Sequence, residues 1–162
     1  MLKNFTPKFY YKAIYQINFS ALRDMGIRGI IVDLDNTLVP HNHPHVSPQL
    51  AEWIAEVKKQ GFQLIIVSNN NSSRVEKFGA LAELLFISAA NKPLKSGLLK
   101  AAREMMLPPN EVAVIGDQIF TDIWGGNRCG MTTVLVDPVF EKESWPIRLK
   151  RLLEGRFRKN IN

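Results

Sequence analysis

Gly29-Ile30-Ile31-Val32-Asp33-Leu34-Asp35-Asn36-Thr37 is the stretch that decides the fold. Its apolar opening reads as a strand covered on both faces, as strands of parallel sheets are. Two carboxylates one residue apart then stand at the C-terminal tip of that strand. Burying them there is costly unless a cation meets them. The same edge is where open α/β sheets bind ligands. A divalent metal together with a phosphate accounts for the pair.

The pattern recurs along the chain. Leu64-Ile65-Ile66-Val67 ends at Ser68-Asn69-Asn70-Asn71, Leu84-Leu85-Phe86-Ile87 precedes Lys92, and Val112-Ala113-Val114-Ile115 ends at Gly116-Asp117. Thr133-Val134-Leu135-Val136 makes a fifth strand. Helical segments lie between them. One starts at Ser47 with Pro48 at its first position, carries Leu50, Ile54 and Val57 on one face, and ends at Gly61. Others are expected near 72–82, from Lys92-Pro93 through Met105, and near 121–128. Strands alternating with helices predict βαβ units, right-handed crossovers and a mostly parallel sheet in a single domain spanning 1–162. Asp33, Asp35, Ser68, Asn69, Lys92, Asp117 and Asp122 then gather at one sheet edge.

That set can carry out phosphoryl chemistry. A carboxylate can attack phosphorus, and a second acid two residues on can protonate the leaving oxygen and later activate water. Ser68 and Asn69 can donate hydrogen bonds to phosphoryl oxygens, and Lys92 can balance the charge. Asp33 and Asp117 suit Mg²⁺, which prefers oxygen ligands.

These residues resemble the haloacid-dehalogenase superfamily of aspartate-nucleophile phosphatases. Its motifs stand in order as Asp33-x-Asp35-x-Thr37, Ser68, Lys92 and Gly116-Asp117-x-x-x-Thr121-Asp122, covering roughly residues 27–138. The resemblance implies a three-layer α/β/α Rossmann-like fold, with five strands in the order 5-4-1-2-3. It implies Asp33 as nucleophile, Asp35 as general acid/base, and phosphate contacts from Ser68 and Lys92. Mg²⁺ would be held by Asp33, the backbone carbonyl of Asp35, and Asp117, with Asp122 behind them or acting through water. Only 34 residues separate Asp33 from Ser68, too few for the cap domain that many members carry. More narrowly, Asp33-Leu34-Asp35-Asn36-Thr37-Leu38-Val39, Val67-Ser68-Asn69-Asn70-Asn71, Gly116-Asp117-Gln118 and Gly125-Gly126-Asn127-Arg128 are similar to the bacterial branch related to mitochondrial phosphatidylglycerophosphate phosphatases. That implies a lipid phosphate monoester as substrate. A soluble or macromolecular phosphate and a non-enzymatic basic scaffold are the alternatives. A receiver domain fits less well, because its phosphoacceptor lies on a later strand.

Composition sets the outer bounds. Hydrophobic residues make up 46% and charged residues 22% of 162, as in a globular domain. A single cysteine, Cys129, excludes an internal disulfide and reads as a packing residue. No apolar run approaches the ~20 residues of a membrane span, and no secretory-type apolar stretch opens the chain; a cytoplasmic protein is expected. The net charge of +6 sits at the two ends. Residues 1–28 carry Lys3, Lys8, Lys12, Arg23 and Arg28 against Asp24. Residues 141–162 carry seven basic side chains against three acidic ones. Each cation near an anionic bilayer contributes about 1 kcal/mol, so one such end could strengthen binding roughly a thousandfold. Peripheral contact with an anionic membrane is therefore an expectation, weighed against a basic surface that serves solubility; no specific nucleic acid is expected. Tyr10, Ile14 and Ile17 read as one helical face of an interfacial anchor or of a packed helix. Trp145, Leu149, Leu152 and Leu153 read as a second stripe, interrupted by Arg156. His41, His43 and His45 read as exposed loop residues rather than metal ligands.

Overall fold

The order of the strands follows from where the apolar runs fall. In the computed structural model, which describes residues 2–41 and 43–139, β2 (Gly29–Val32) is buried along its whole length. It is flanked by β3 (Gln63–Val67) and β5 (Val112–Gly116). Beyond them lie β4 (Leu85–Ile87) on one side and β6 (Thr132–Val136) on the other. Every pairing is parallel. Counted from β2, these five strands have the order expected from the sequence. A sixth strand, β1 (Phe9–Tyr11), adds to the free side of β6, giving β1-β6-β5-β2-β3-β4.

Alternation within β2 divides the core in two. Ile30 and Val32 face one layer, with Leu50, Trp53 and Val57 of α2 (Pro48–Lys59) and Val75 and Phe78 of α3 (Ser72–Ala82). Ile31 faces the other, with Leu98, Ala101 and Ala102 of α4 (Lys95–Glu104). Helices on both faces complete a three-layer α/β/α domain. The short α5 (Trp124–Arg128) lies on the α4 side, where Gly126 touches Thr133 and Val114 so closely that a Cβ would clash. α2 begins as the sequence predicts, with the Ser47 hydroxyl accepting from the Leu50 N–H and Pro48 in the first turn. Gly61 follows its C-terminus at φ +89°, a conformation that glycine adopts without strain. Among the described residues, the intervals where a cap would be inserted hold only α2, and then α3 with β4.

The N-terminal segment departs from the expected helix. Tyr10 belongs to β1 and donates its hydroxyl to Asp137 at 2.8 Å, while Ile14 and Ile17 are buried in the core. Phe9, Tyr11 and Phe19 pack against the same core, and Phe5 stacks beside Phe120 and Trp124. Three aromatic residues are too few to show a period, and their preference for a half-buried pleated surface prevails. α1 (Phe19–Asp24) follows, capped by the Asn18 side chain. The stripe at Trp145, Leu149, Leu152 and Leu153, with Arg156, lies outside the described residues. Among the described residues, no helix is long and apolar enough to cross a membrane.

Candidate active site

The register of the sheet puts the acids together. Val32 pairs with Ile115 and with Ile66, so β2, β3 and β5 end level. The ladder continues one step further, with the Asp33 N–H donating to Ile115 O at 2.9 Å and the Ser68 N–H to Ile87 O at 2.9 Å. Asp33 and Asp117 thus leave adjacent strands, at the point where the strand order reverses from β2 to β5. Asp122 arrives from the next turn. The helix expected near 121–128 is divided: a π-helical turn, Ile119–Ile123, precedes α5 and carries Asp122 back under β5. Gly116 makes this approach achievable, since a Cβ there would lie 2.2 Å from the Asp122 Cγ.

The carboxylates of Asp33, Asp117 and Asp122 each offer an oxygen within 4.8 Å of the others, and all three are buried. Lys92 reaches into this cluster. Its Nζ donates to Asp33 Oδ1 and to Asp122 Oδ1, both at 2.7 Å, with a side chain only 2% exposed. The other Asp122 oxygen accepts from the Gln118 N–H at 3.2 Å and the Thr121 hydroxyl at 3.3 Å. Thr37 lies between Asp33 Oδ2 at 3.4 Å and Asp117 Oδ1 at 3.3 Å.

One ammonium does not neutralise three carboxylates. Burial raises the Asp33 pKa, and Lys92 offsets only part of that, so it stands at about 6. Burial works against the Lys92 ammonium, but Asp122 and Asp33 outweigh it and hold the group charged well above its ordinary range. A buried all-oxygen cluster with uncompensated negative charge fits a hard divalent cation.

A cleft of about 260 Å³ opens over this cluster, lined by Asp33, Asp35, Asn36, His41, Ser68, Asn69, Asn70, Lys92, Gln118 and Thr121. Ser68 is buried at its floor; its Oγ accepts from the Asn70 N–H at 3.1 Å and still has a proton to give. Asn69, expected to contact phosphate, lines the cleft, and its side chain also holds the Lys92 backbone. Its amide donates to the Lys92 carbonyl at 2.9 Å and its oxygen accepts from the Lys92 N–H at 2.6 Å, which fixes the lysine's backbone. The Asp35 carboxylate lines the same cleft but lies outside the three-acid cluster. There Asn70 donates to Oδ2 at 2.9 Å, and Arg74 donates to Oδ1 through Nε at 3.1 Å and Nη2 at 2.5 Å.

Asn70 and Arg74 were not legible as site residues. Nothing in the sequence pattern singles out Asn70 from its neighbouring asparagines, or Arg74 in α3 from a solvated arginine. Of the loop histidines, His41 Nδ1 lies 3.5 Å from Asp35 Oδ1, while the rings of His43 and His45 meet edge to face at 5.7 Å. Asn71 caps α3 by accepting from the Arg74 N–H at 3.2 Å. Half-buried Cys129 packs beside the α4 core, and burial pushes its thiol pKa up.

A parallel α/β/α domain with this acid cluster at its switch point is the architecture of the haloacid-dehalogenase phosphatases. The solved cobalt-bound deoxy-D-mannose-octulosonate 8-phosphate phosphatase (YrbI) of Haemophilus influenzae shares the fold, with a TM-score of 0.52 at 15% identity over 69% of each chain. The sequence model of the mitochondrial PGP phosphatase family matches residues 2–140, and the chain belongs to that family. It is 42% identical to the probable phosphatase YqeG of Bacillus subtilis, over 96% of this chain and 91% of that one. It is 27% identical to the chloroplastic/mitochondrial phosphatidylglycerophosphate phosphatase 1 of Arabidopsis thaliana, over 91% of this chain but 45% of the plant protein.

Proposed function

We propose that this chain is a Mg²⁺-dependent phosphatase that hydrolyses a lipid phosphate monoester, such as phosphatidylglycerophosphate, through an aspartyl-phosphate on Asp33. The observation that carries the reading is Asp33 itself: a buried carboxylate held by Lys92 beside Asp117, lining an open cleft that Asp35 also lines. In the first step an Asp33 oxygen attacks phosphorus, the ester P–O bond breaks, and Asp35 gives its proton to the departing alcohol. In the second, Asp35 takes a proton from water as that water attacks phosphorus, releasing phosphate and restoring Asp33. Lys92 has three N–H donors, two of them spent on Asp33 and Asp122, and the third serves a phosphoryl oxygen. Ser68 donates to another. Asp33 and Asp117, with the Asp35 carbonyl, would hold Mg²⁺, which when bound supplies positive charge to the phosphoryl oxygens.

The lipid part of the proposal is supported by family membership and by a cleft over which the described residues insert no cap. A second, largely apolar hollow of about 620 Å³ adds to it. Pro44, Phe78, Ala80 and Leu81 line this hollow, with Ser73, Lys77 and Arg74, and Arg74 also bonds Asp35 of the cleft. A cytoplasmic location with peripheral contact at an anionic membrane face fits the same reading. A phosphate-release screen with Mg²⁺ tests it. Phosphatidylglycerophosphate in mixed micelles is expected to exceed nucleotide and sugar phosphates by roughly 100-fold or more in kcat/KM, about 2.7 kcal/mol of added transition-state binding. Equal or faster hydrolysis of the soluble esters would favour a soluble substrate.

Metal uptake is expected to depend on pH with a definite sign. The metal needs Asp33 as the anion, so a proton competes for it as pH falls through about 6. Calorimetry in buffers of different ionisation enthalpy should find Mg²⁺ displacing nearly one proton at pH ~5 and close to none at pH ~7.5. The same low proton count at both values would remove Asp33 from the ligand set.

A further inference from the structure

We propose that Arg74 is a positioning residue for proton transfer, holding the Asp35 carboxylate in the attitude from which it serves the leaving group. The inference rests on the reading of Asp35 as proton donor and acceptor. Arg74 stands in the first turn of α3, and its guanidinium spans two elements. Nε and Nη2 hold Asp35 Oδ1, while Nη1 donates to the His43 carbonyl at 3.1 Å. Asn70 secures the other Asp35 oxygen. The Arg74 and Asp35 side chains are only 14% and 16% exposed, so solvent does little to loosen the pair. Asp35 follows a strand tip, and without Arg74 only the Asn70 amide would hold its carboxylate, through one oxygen. A planar fork fixed at one end by the 40–46 loop holds the other oxygen in a set direction, which a lysine's single ammonium would not. Lys92 and Asp33 are bonded elsewhere, so Arg74 acts on the proton and not on the nucleophile.

That division of labour has a kinetic signature. The parameter kcat/KM reports the steps up to formation of the Asp33–phosphorus bond. In those steps an alkyl alcohol needs the Asp35 proton as it departs, whereas p-nitrophenolate departs without it. Arg74→Ala is expected to lower kcat/KM for phosphatidylglycerophosphate or glycerol phosphate by ~30-fold or more, within the range of general acid catalysis. It should lower kcat/KM for p-nitrophenyl phosphate about tenfold less. Arg74→Lys is expected to recover only part of the alkyl-ester rate. In an Asp35→Asn background, Arg74→Ala should cost about threefold or less, because the group it positions is already gone.

Equal losses on both esters, or full additivity with Asp35→Asn, would make Arg74 a structural tie between α3 and the loop and overturn the inference. The other failures are separable. A wild-type protein that hydrolyses neither ester refutes the phosphatase reading itself. Asp35→Asn losses that do not depend on the leaving group refute the role of Asp35. A contrast in Asp35→Asn without one in Arg74→Ala refutes Arg74 alone. Thermal melts of each variant establish that the compared proteins are folded.

Discussion

Asp33→Asn is expected to lower turnover by on the order of 10⁴-fold or more, as removal of a nucleophile does. The carboxamide is nearly isosteric, so the ladder bond from its N–H to Ile115 and the surrounding packing have no reason to change. It cannot form the acyl phosphate. Stability should move in the opposite direction from activity in the metal-free protein. The folded-state pKa of Asp33, about 6, stands above its ordinary value of 3.8, so folding opposes the anion. That penalty is absent below pH ~4, grows as pH rises, and is complete above pH ~6. The variant should therefore melt at a higher temperature than the wild type at neutral pH without metal, with the gain fading toward pH ~4. A variant with substantial activity, or one destabilised at every pH, would contradict this account of Asp33.

Lys92→Met should have the largest effect on stability. The lysine is the shared partner of Asp33 and Asp122, and all three are buried. Removing one member of a buried ion pair leaves uncompensated charge and costs about 3–5 kcal/mol, roughly 6–20 °C in Tm for a domain of this size. The raised Lys92 pKa means this stabilisation is fully present below the lysine's unfolded value and is lost only as pH climbs through the higher folded one. Across pH 5–8 the wild-type lysine is charged throughout. Any pH dependence of the mutational loss then comes from the carboxylates left behind. The loss should shrink toward pH ~5 as Asp33 protonates, and shrink again when Mg²⁺ is added at neutral pH. Melting curves of both proteins at two pH values, with and without metal, provide the comparison. A pH-independent loss unaffected by metal would mean that Lys92 matters only for packing.

The centre of the fold was readable because each of β2, β3, β5 and β6 is a continuous apolar run closed by a polar tip. In such a sheet the tip residues must share an edge. That rule brought Asp33, Ser68 and Asp117 to one edge, and Lys92, a few residues past the shorter run of β4, was placed with them by extension and by the family resemblance. The start of α2 was legible because Ser47 and Pro48 have roles set by backbone chemistry. The rest depended on register and side-chain direction, which a one-dimensional pattern does not carry. β1 is too short to announce itself. The π-helical turn that carries Asp122 under Gly116 has no period of its own in the sequence. Asn69 was correctly located beside the cleft, but its side chain meets Lys92 across 23 residues of chain. Arg74 meets Asp35 across 39. Contacts of that length become visible only once the strands are in place.

The central claim is a covalent phosphoryl group on Asp33. Enzyme mixed with Mg²⁺ and a phosphorylated substrate, quenched in acid during turnover and digested, tests it directly by mass spectrometry. The account predicts a base-labile phosphoryl group on the peptide containing Asp33, formed only with metal and absent from Asp33→Asn. Turnover with no phosphorylated peptide, or with the phosphoryl group on another side chain such as Ser68, would contradict it.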